Sequence, residues 1–153
     1  MTPETDLNRF LSPVLLFAFV GTAVELVFLG HYEDRLQWIP LAAVSAGALS
    51  LVGVALLKSR GAILVTRFVM TGLLIAGAVG VFLHFRSNME FELEMHPTVE
   101  GVELIWESLT GAMPALAPGT LIFMGLVGLV YTIGHPLLAG PPAAGEPPAG
   151  DAR

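Results

Sequence analysis

The chain has 153 residues, of which 54% are apolar and only 13% are charged, and its formal net charge is −6. A charged fraction this far below the quarter that is typical of soluble domains indicates a membrane protein, and the acidic balance argues against nucleic-acid binding. Cysteine is absent, which excludes disulfides, thiolate metal sites and cysteine nucleophiles.

Four blocks of apolar residues are each long enough to cross the hydrocarbon core of a bilayer as a helix. They predict an all-α integral membrane protein, an antiparallel four-helix bundle formed by residues 10–138 after a polar lead at 1–9. The predicted spans are about 10–30, 36–57, 62–85 and 119–138. The last segment, 139–153, is rich in glycine, proline and alanine and is predicted to be disordered.

The first span contains one acidic residue, Glu25, about 9 Å from its outer end at 1.5 Å per residue. An ionisable side chain inside a span is costly and usually faces protein or water. Glu25 is therefore a candidate proton or cation site. The alternative is a structural carboxyl group that hydrogen-bonds locally or extends towards the headgroups.

Small residues recur at spacings of four in the third span, where they would let a neighbouring helix approach closely. Gly72, Ala76 and Gly80 form one such series, and it ends at His84. His84 is therefore expected to face the other helices and not the lipid. Arg67, about one turn inside the same span, is expected to extend back to the headgroups.

The segment 86–118 is the long polar connection and is predicted to form a cap over the outer end of the bundle. Residues 89–96 alternate strictly between apolar residues and Glu or His, which is the period of a strand. From 98 to 110 the period becomes helical, with apolar residues on one face and three glutamates on the other. We expect a short strand-like segment followed by an amphipathic helix on the membrane surface, anchored by Trp106.

The distribution of basic residues predicts the orientation in the membrane. Four spans put both termini and the turn at 58–61 on one side, which carries Arg9, Lys58, Arg60, Arg67 and Arg153. The opposite side carries only Arg35 and Arg86. The positive-inside rule makes the first side cytoplasmic, so we expect a bacterial plasma membrane protein with 86–118 outside the cell.

Two histidines, His31 and His84, fall at the outer ends of the first and third spans. Together with Glu25 and Glu33 they form a candidate site for a divalent metal ion, because imidazole and carboxylate suit Zn, Cu, Ni or Fe. The same histidines would suit axial ligation of haem if facing helices bring them together. Against both hypotheses, no compact motif such as H-x-x-x-H occurs, and histidines at the membrane surface are commonly plain polar caps.

Several catalytic signatures are missing, including a G-x-S-x-G elbow and a glycine-rich phosphate loop, so an enzyme is the weaker expectation. The sequence favours an accessory or interaction subunit of a membrane complex, with the lipid bilayer and other membrane proteins or a second copy as partners. The first alternative is a cation-binding or proton-conducting protein with a site at Glu25, His31 and His84. The second is a haem-linked redox subunit that uses the two histidines.

Overall fold

The computed structural model describes residues 3–138, with side chains from residue 7 onward, and over that range the chain is helical with no β-strand. Its five α-helices are α1 (Pro3–Phe28), α2 (Trp38–Leu57), α3 (Arg60–Met95), α4 (Gly101–Thr110) and α5 (Gly119–Thr132). Short 3₁₀ turns, Arg35–Gln37 and Pro136–Leu138, precede α2 and follow α5. The segment 139–153, predicted to be disordered, lies outside the described residues. The polar lead at 1–9 is, from Pro3 onward, the start of α1.

Three helical stretches are long and apolar enough to cross a membrane: Leu7–Phe28, Arg35–Leu57 and Arg60–Met95. Large apolar side chains cover their outer surfaces, and Phe17 and Phe68 are each 81% exposed. Apolar surface of this extent is unfavourable in water and favourable against acyl chains. The chain is helical as predicted, and these three helices fit a membrane protein by their length and composition. Helix α5 is also apolar, but its 14 residues span only about 21 Å.

Helix α3 organises the other elements. It has 36 residues, which at 1.5 Å each make it about 54 Å long. It packs along α5 and α2, and its last turns pack against α4. Helix α1 packs chiefly against α2 and to a lesser extent against α5. A helix of 54 Å is longer than the hydrocarbon core of about 30 Å, so part of α3 extends beyond it.

Helices α3 and α5 approach closely because glycines lie at their contact. A β-carbon at Gly77 would lie 2.7 Å from Cγ1 of Ile122 and 2.9 Å from its backbone nitrogen. A β-carbon at Gly125 would lie 2.8 Å from the backbone oxygen of Met70. The buried core around this contact includes Ile63, Met70, Leu73, Leu121 and Met124. Small residues therefore determine how near the two helices lie, as expected for helix packing in membranes.

The series of small residues predicted along α3 is present only in part. Gly80 contacts Pro118, but a β-carbon at Gly72 would have no atom within 4 Å. The buried glycine is Gly77, which does not belong to the predicted series. Because an α-helix has 3.6 residues per turn, residues spaced by four lie progressively farther around the helix. A series with this spacing therefore does not stay in the contact between α3 and α5 along its whole length.

The strand predicted at 89–96 is wrong, because α3 continues through Met95. Glutamate, leucine and methionine are all good helix formers, so the local preference of this segment is helical. Extending an existing helix also avoids the cost of starting a new element, whereas a lone strand has no neighbour to pair with. A helix is present in the region where an amphipathic helix was predicted, as α4, and its packing is described below.

The side chain of Arg67, predicted to extend to the headgroups, is hydrogen-bonded to the end of α5. Its Nε donates to Oγ1 of Thr132 at 3.2 Å and its Nη2 donates to the Thr132 carbonyl at 3.0 Å. The last carbonyls of a helix have no partner within the helix, and a positive charge there is favourable. Arg67 therefore caps the end of α5 from α3.

Candidate functional site: the histidine pair and the outer cap

His31 is positioned by the way α1 ends. Gly30 adopts a left-handed conformation with φ of 65°. The His31 amide donates to the Leu26 carbonyl at 2.9 Å, and the Gly30 amide donates to the Val27 carbonyl at 3.1 Å. This pair of bonds is a Schellman motif, which glycine favours because it has no β-carbon. The motif ends α1 and turns the chain so that the His31 ring lies beside α3.

His84 meets this ring from α3. The ring centroids of His31 and His84 are 6.5 Å apart and the ring planes are tilted by 50°. Nδ1 of His84 lies 3.2 Å from the Pro114 carbonyl. Because a carbonyl can only accept, Nδ1 must carry the proton, and Nε2 is left as the acceptor of the neutral ring. The pair therefore joins three segments: the turn after α1, the helix α3 and the chain entering α5.

The surroundings of His31 favour its neutral ring. Burial lowers the pKa of His31 from its ordinary value, and repulsion from a protonated His84 lowers it further. Two imidazoles bound to one tetrahedral Zn²⁺ would have centroids about 5 Å apart, so the rings would have to move together to bind it. Within residues 3–138 no group of three or more metal-binding side chains has come together.

The two carboxylates predicted to join this site lie apart from each other. Glu33 is in the turn after α1, where its Oε1 lies 3.7 Å from the position of a β-carbon on Gly30, next to His31. Glu25 is in the last turn of α1, and its side chain is exposed on the surface of that helix. The structure thus brings together His31 and His84, and keeps Glu33 on the same turn, but it leaves Glu25 facing outward.

Asn88 is a buried polar residue of the outer end that the sequence analysis missed. It lies in the part of α3 that was predicted as loop, and it is only 2% exposed. Its Nδ2 donates to the carbonyls of Ser108 at 2.9 Å and Met113 at 2.6 Å, and its Oδ1 accepts from the Met113 amide at 3.1 Å. The Ser108 carbonyl is one of the groups that the end of α4 leaves unbonded. Asn88 therefore caps α4 and fixes the chain after it.

Gly111 makes room for this contact. A β-carbon there would lie 2.9 Å from Cγ of Asn88 and 3.1 Å from the Glu107 carbonyl. Such distances are too short for a carbon atom, so a larger residue would displace the Asn88 amide. Gly111 could be seen in the sequence, but its contact with Asn88 could be predicted only by knowing that α3 extends beyond residue 88.

The segment formed by residues 86–95 of α3, the connection 96–100 and α4 is called the outer cap below. Helix α4 contacts α3 through the face that carries Leu104 and the buried Ser108. Its apolar face points elsewhere and is exposed: Val102 is 82%, Ile105 51%, Trp106 63% and Leu109 38% exposed. We call these four residues the α4 stripe.

The outer cap is strongly acidic. Its one arginine, Arg86, has Nε 2.7 Å from Oε1 of Glu90, and it contains no lysine. Five further glutamates have no such partner among the described side chains: Glu92, Glu94, Glu100, Glu103 and Glu107. On α4 the spacings of three and four put the last three on one face, beside the α4 stripe. The cap thus combines exposed apolar surface with a negative border.

Comparison with known proteins adds no relative: no protein-family model, no characterised protein and no solved structure matches the chain.

Proposed function

We propose that the chain is an accessory or interaction subunit of a membrane complex and that the outer cap is its recognition surface. The observation that carries the proposal is the α4 stripe: four apolar side chains of one helix are exposed, while the helix contacts α3 through another face. Apolar surface of this kind on a rigid element is typical of a binding surface. The Asn88 bonds support the same function, because a surface held in one conformation loses less entropy on binding.

The proposal includes a fourth span and an orientation. Helix α5, with the segments that flank it, would cross the membrane beside α3, so that both termini lie in the cytoplasm. The basic residues at the end that carries the α2–α3 turn, Lys58 and Arg60 among them, support this orientation by the positive-inside rule. The outer cap would then lie outside the plasma membrane of a bacterium.

Native electrophoresis of gently solubilised host membranes tests the proposed function. We expect the chain to migrate in a complex larger than its own monomer or dimer, and crosslinking in the intact membrane to join it reproducibly to the same protein. A lone monomer, with no protein partner crosslinked in native membranes, would contradict the proposal.

A second candidate function is binding of a divalent cation or protons at His31 and His84. The observation behind it is that the two rings lie 6.5 Å apart, so a movement of the rings towards each other would let both bind one cation. Glu33, in the same turn as His31, would also have to move in to supply an oxygen ligand. Elemental analysis and an absorption spectrum of the purified protein test this, with His84→Ala as the comparison. Stoichiometric metal that is lost in the variant would support the site, and a Soret band would support haem.

Glu25→Gln is the matched control for that experiment. Because Glu25 is exposed on α1, we expect this variant to bind metal as the wild type does. Loss of the metal in Glu25→Gln would return Glu25 to the site. A wild-type protein that is both metal-free and colourless after purification with the ions and haem supplied would remove the second candidate.

A further inference from the structure

Helix α4 runs back along the end of α3 towards the membrane. The two helices are joined by only five residues, 96–100, and they pack against each other. The bond from Asn88 to the Ser108 carbonyl fixes their relative height near the lower end of α4. Farther down, the Pro114 carbonyl meets His84 and Pro118 meets Gly80, so the chain continues to descend beside α3.

This arrangement puts most of the α4 stripe beyond the lipid. A span that enters the hydrocarbon core at residue 62 leaves it after about 20 residues, near residue 82. Asn88 then stands about 9 Å farther out, and Val102, six residues above Ser108 on α4, stands about 18 Å out at 1.5 Å per residue. The headgroup layer is only about 5–8 Å thick. Lipid can therefore cover the lower end of the stripe but not Val102.

The negative charge beside the α4 stripe indicates what kind of partner protein would bind it. Glu100, Glu103 and Glu107 border it, and the single arginine of the outer cap is already paired with Glu90. A second copy of the same face would bring like charges together, and anionic headgroups would be repelled for the same reason. A surface with basic residues around an apolar groove would be attracted.

We propose that α4 is a helical ligand for a partner protein that offers an apolar groove bordered by lysine or arginine. The inference rests on the proposed function and names the chemistry of the partner. The spacing of the α4 stripe at i, i+3, i+4 and i+7 is the pattern with which an amphipathic helix occupies a groove. Trp106 and Ile105 would fill the centre of the groove, and Glu103 and Glu107 would pair with its basic border.

Site-specific photocrosslinking in host membranes tests this. A photoreactive amino acid replaces Ile105 in the full-length chain, and Phe123, exposed on α5, provides the control position inside the membrane. We expect the Ile105 probe to form an adduct with one protein, at an apolar segment flanked by basic residues. The Phe123 probe should not join that segment.

Charge reversal is the second arm. Glu103→Lys with Glu107→Lys should reduce the Ile105 adduct at least about tenfold, because charged pairs across an interface govern association. Arg35→Glu is the control, since it reverses an exposed charge in the turn before α2, outside the outer cap, and we expect it to retain the adduct. The thermal stability of each variant shows whether the chain is still folded.

Four results would overturn the inference: an Ile105 adduct with phospholipid alone, with a second copy of this chain, with a segment that lacks basic residues, or one that is insensitive to charge reversal. The proposed function fails separately. If native electrophoresis still shows a complex, the chain remains an accessory subunit and only the role of α4 is lost. If no complex is found, the proposed function itself is contradicted.

Discussion

At the scale of single residues, Asn88 decides whether the outer cap is one rigid unit. Asn88→Ala removes three hydrogen bonds and leaves polar backbone groups of Ser108 and Met113 without their partner. We expect this to destabilise the cap by about 2 kcal/mol. Hydrogen exchange should then accelerate roughly 30-fold in the amides of 101–113, with little change in α5.

The neighbouring substitution Ser87→Ala is the control for Asn88→Ala, because Ser87 is exposed and its loss removes no contact with α4. Equal exchange rates in the Asn88→Ala and Ser87→Ala proteins would show that the amide does not hold the cap.

His31 makes stability depend on pH. Its folded pKa lies below its ordinary value of 6.5, so the unfolded chain takes up a proton more readily than the folded one. Stability should therefore fall as the pH decreases from about 6.5 towards the folded pKa and then level off. Melting temperatures between pH 8 and pH 5 measure this, and His31→Gln should make the decrease in stability smaller. An acid-stabilised wild type would contradict the stated environment of the ring.

The histidine pair and Asn88 show how far the contacts of single residues could be predicted from the sequence. His31 and His84 were singled out because both end apolar spans, and the structure does bring their rings together. Glu25 was singled out because it is an ionisable residue inside an apolar span, but that does not say which way it points around the helix, and Glu25 faces outward. Asn88 carried no signal of its own, because its partners are backbone groups 20 and 25 residues away.

At the scale of elements, the contact between α3 and α5 depends on Gly77. Gly77→Ala places a methyl group against Ile122, and overpacking of this kind costs about 1–3 kcal/mol. Gly72→Ala is the matched control on the same helix, since its methyl group meets open space, and alanine should leave the stability unchanged or raise it by up to about 1 kcal/mol. Unfolding in detergent measures both. Equal effects would contradict the orientation of α3.

The elements themselves were predictable to different degrees. The apolar spans depend on length and composition alone, and three of the four appear as helices of spanning length. The strand prediction for 89–96 was wrong because the alternation of apolar and polar residues was read as a strand period, although the residue types favour a helix. In this segment the hydrophobic period predicted a strand and the residue propensities predicted a helix. Helix α3 precedes the segment, so the helix continued through it.

At the scale of the whole molecule, one long helix carries the other elements. Helix α3 supplies Arg67 to the end of α5, His84 to the Pro114 carbonyl and Asn88 to the end of α4. The descending chain from α4 through α5 is therefore tied to α3 at three heights. Composition could predict the membrane-spanning helices but not these three hydrogen bonds, because each joins a side chain to a backbone group far away in the sequence.

We propose that the outer cap stands outside the membrane while the α2–α3 turn lies in the cytoplasm. Because the chain has no cysteine, single cysteines can be placed at will. Glu103→Cys tests the cap, and Gly61→Cys tests the turn, where a β-carbon would meet only Oγ of Ser59 at 3.9 Å. In intact cells a membrane-impermeant maleimide should label Glu103→Cys at once and Gly61→Cys only after permeabilisation. Labelling of both in intact cells, or the reverse order, would contradict the account.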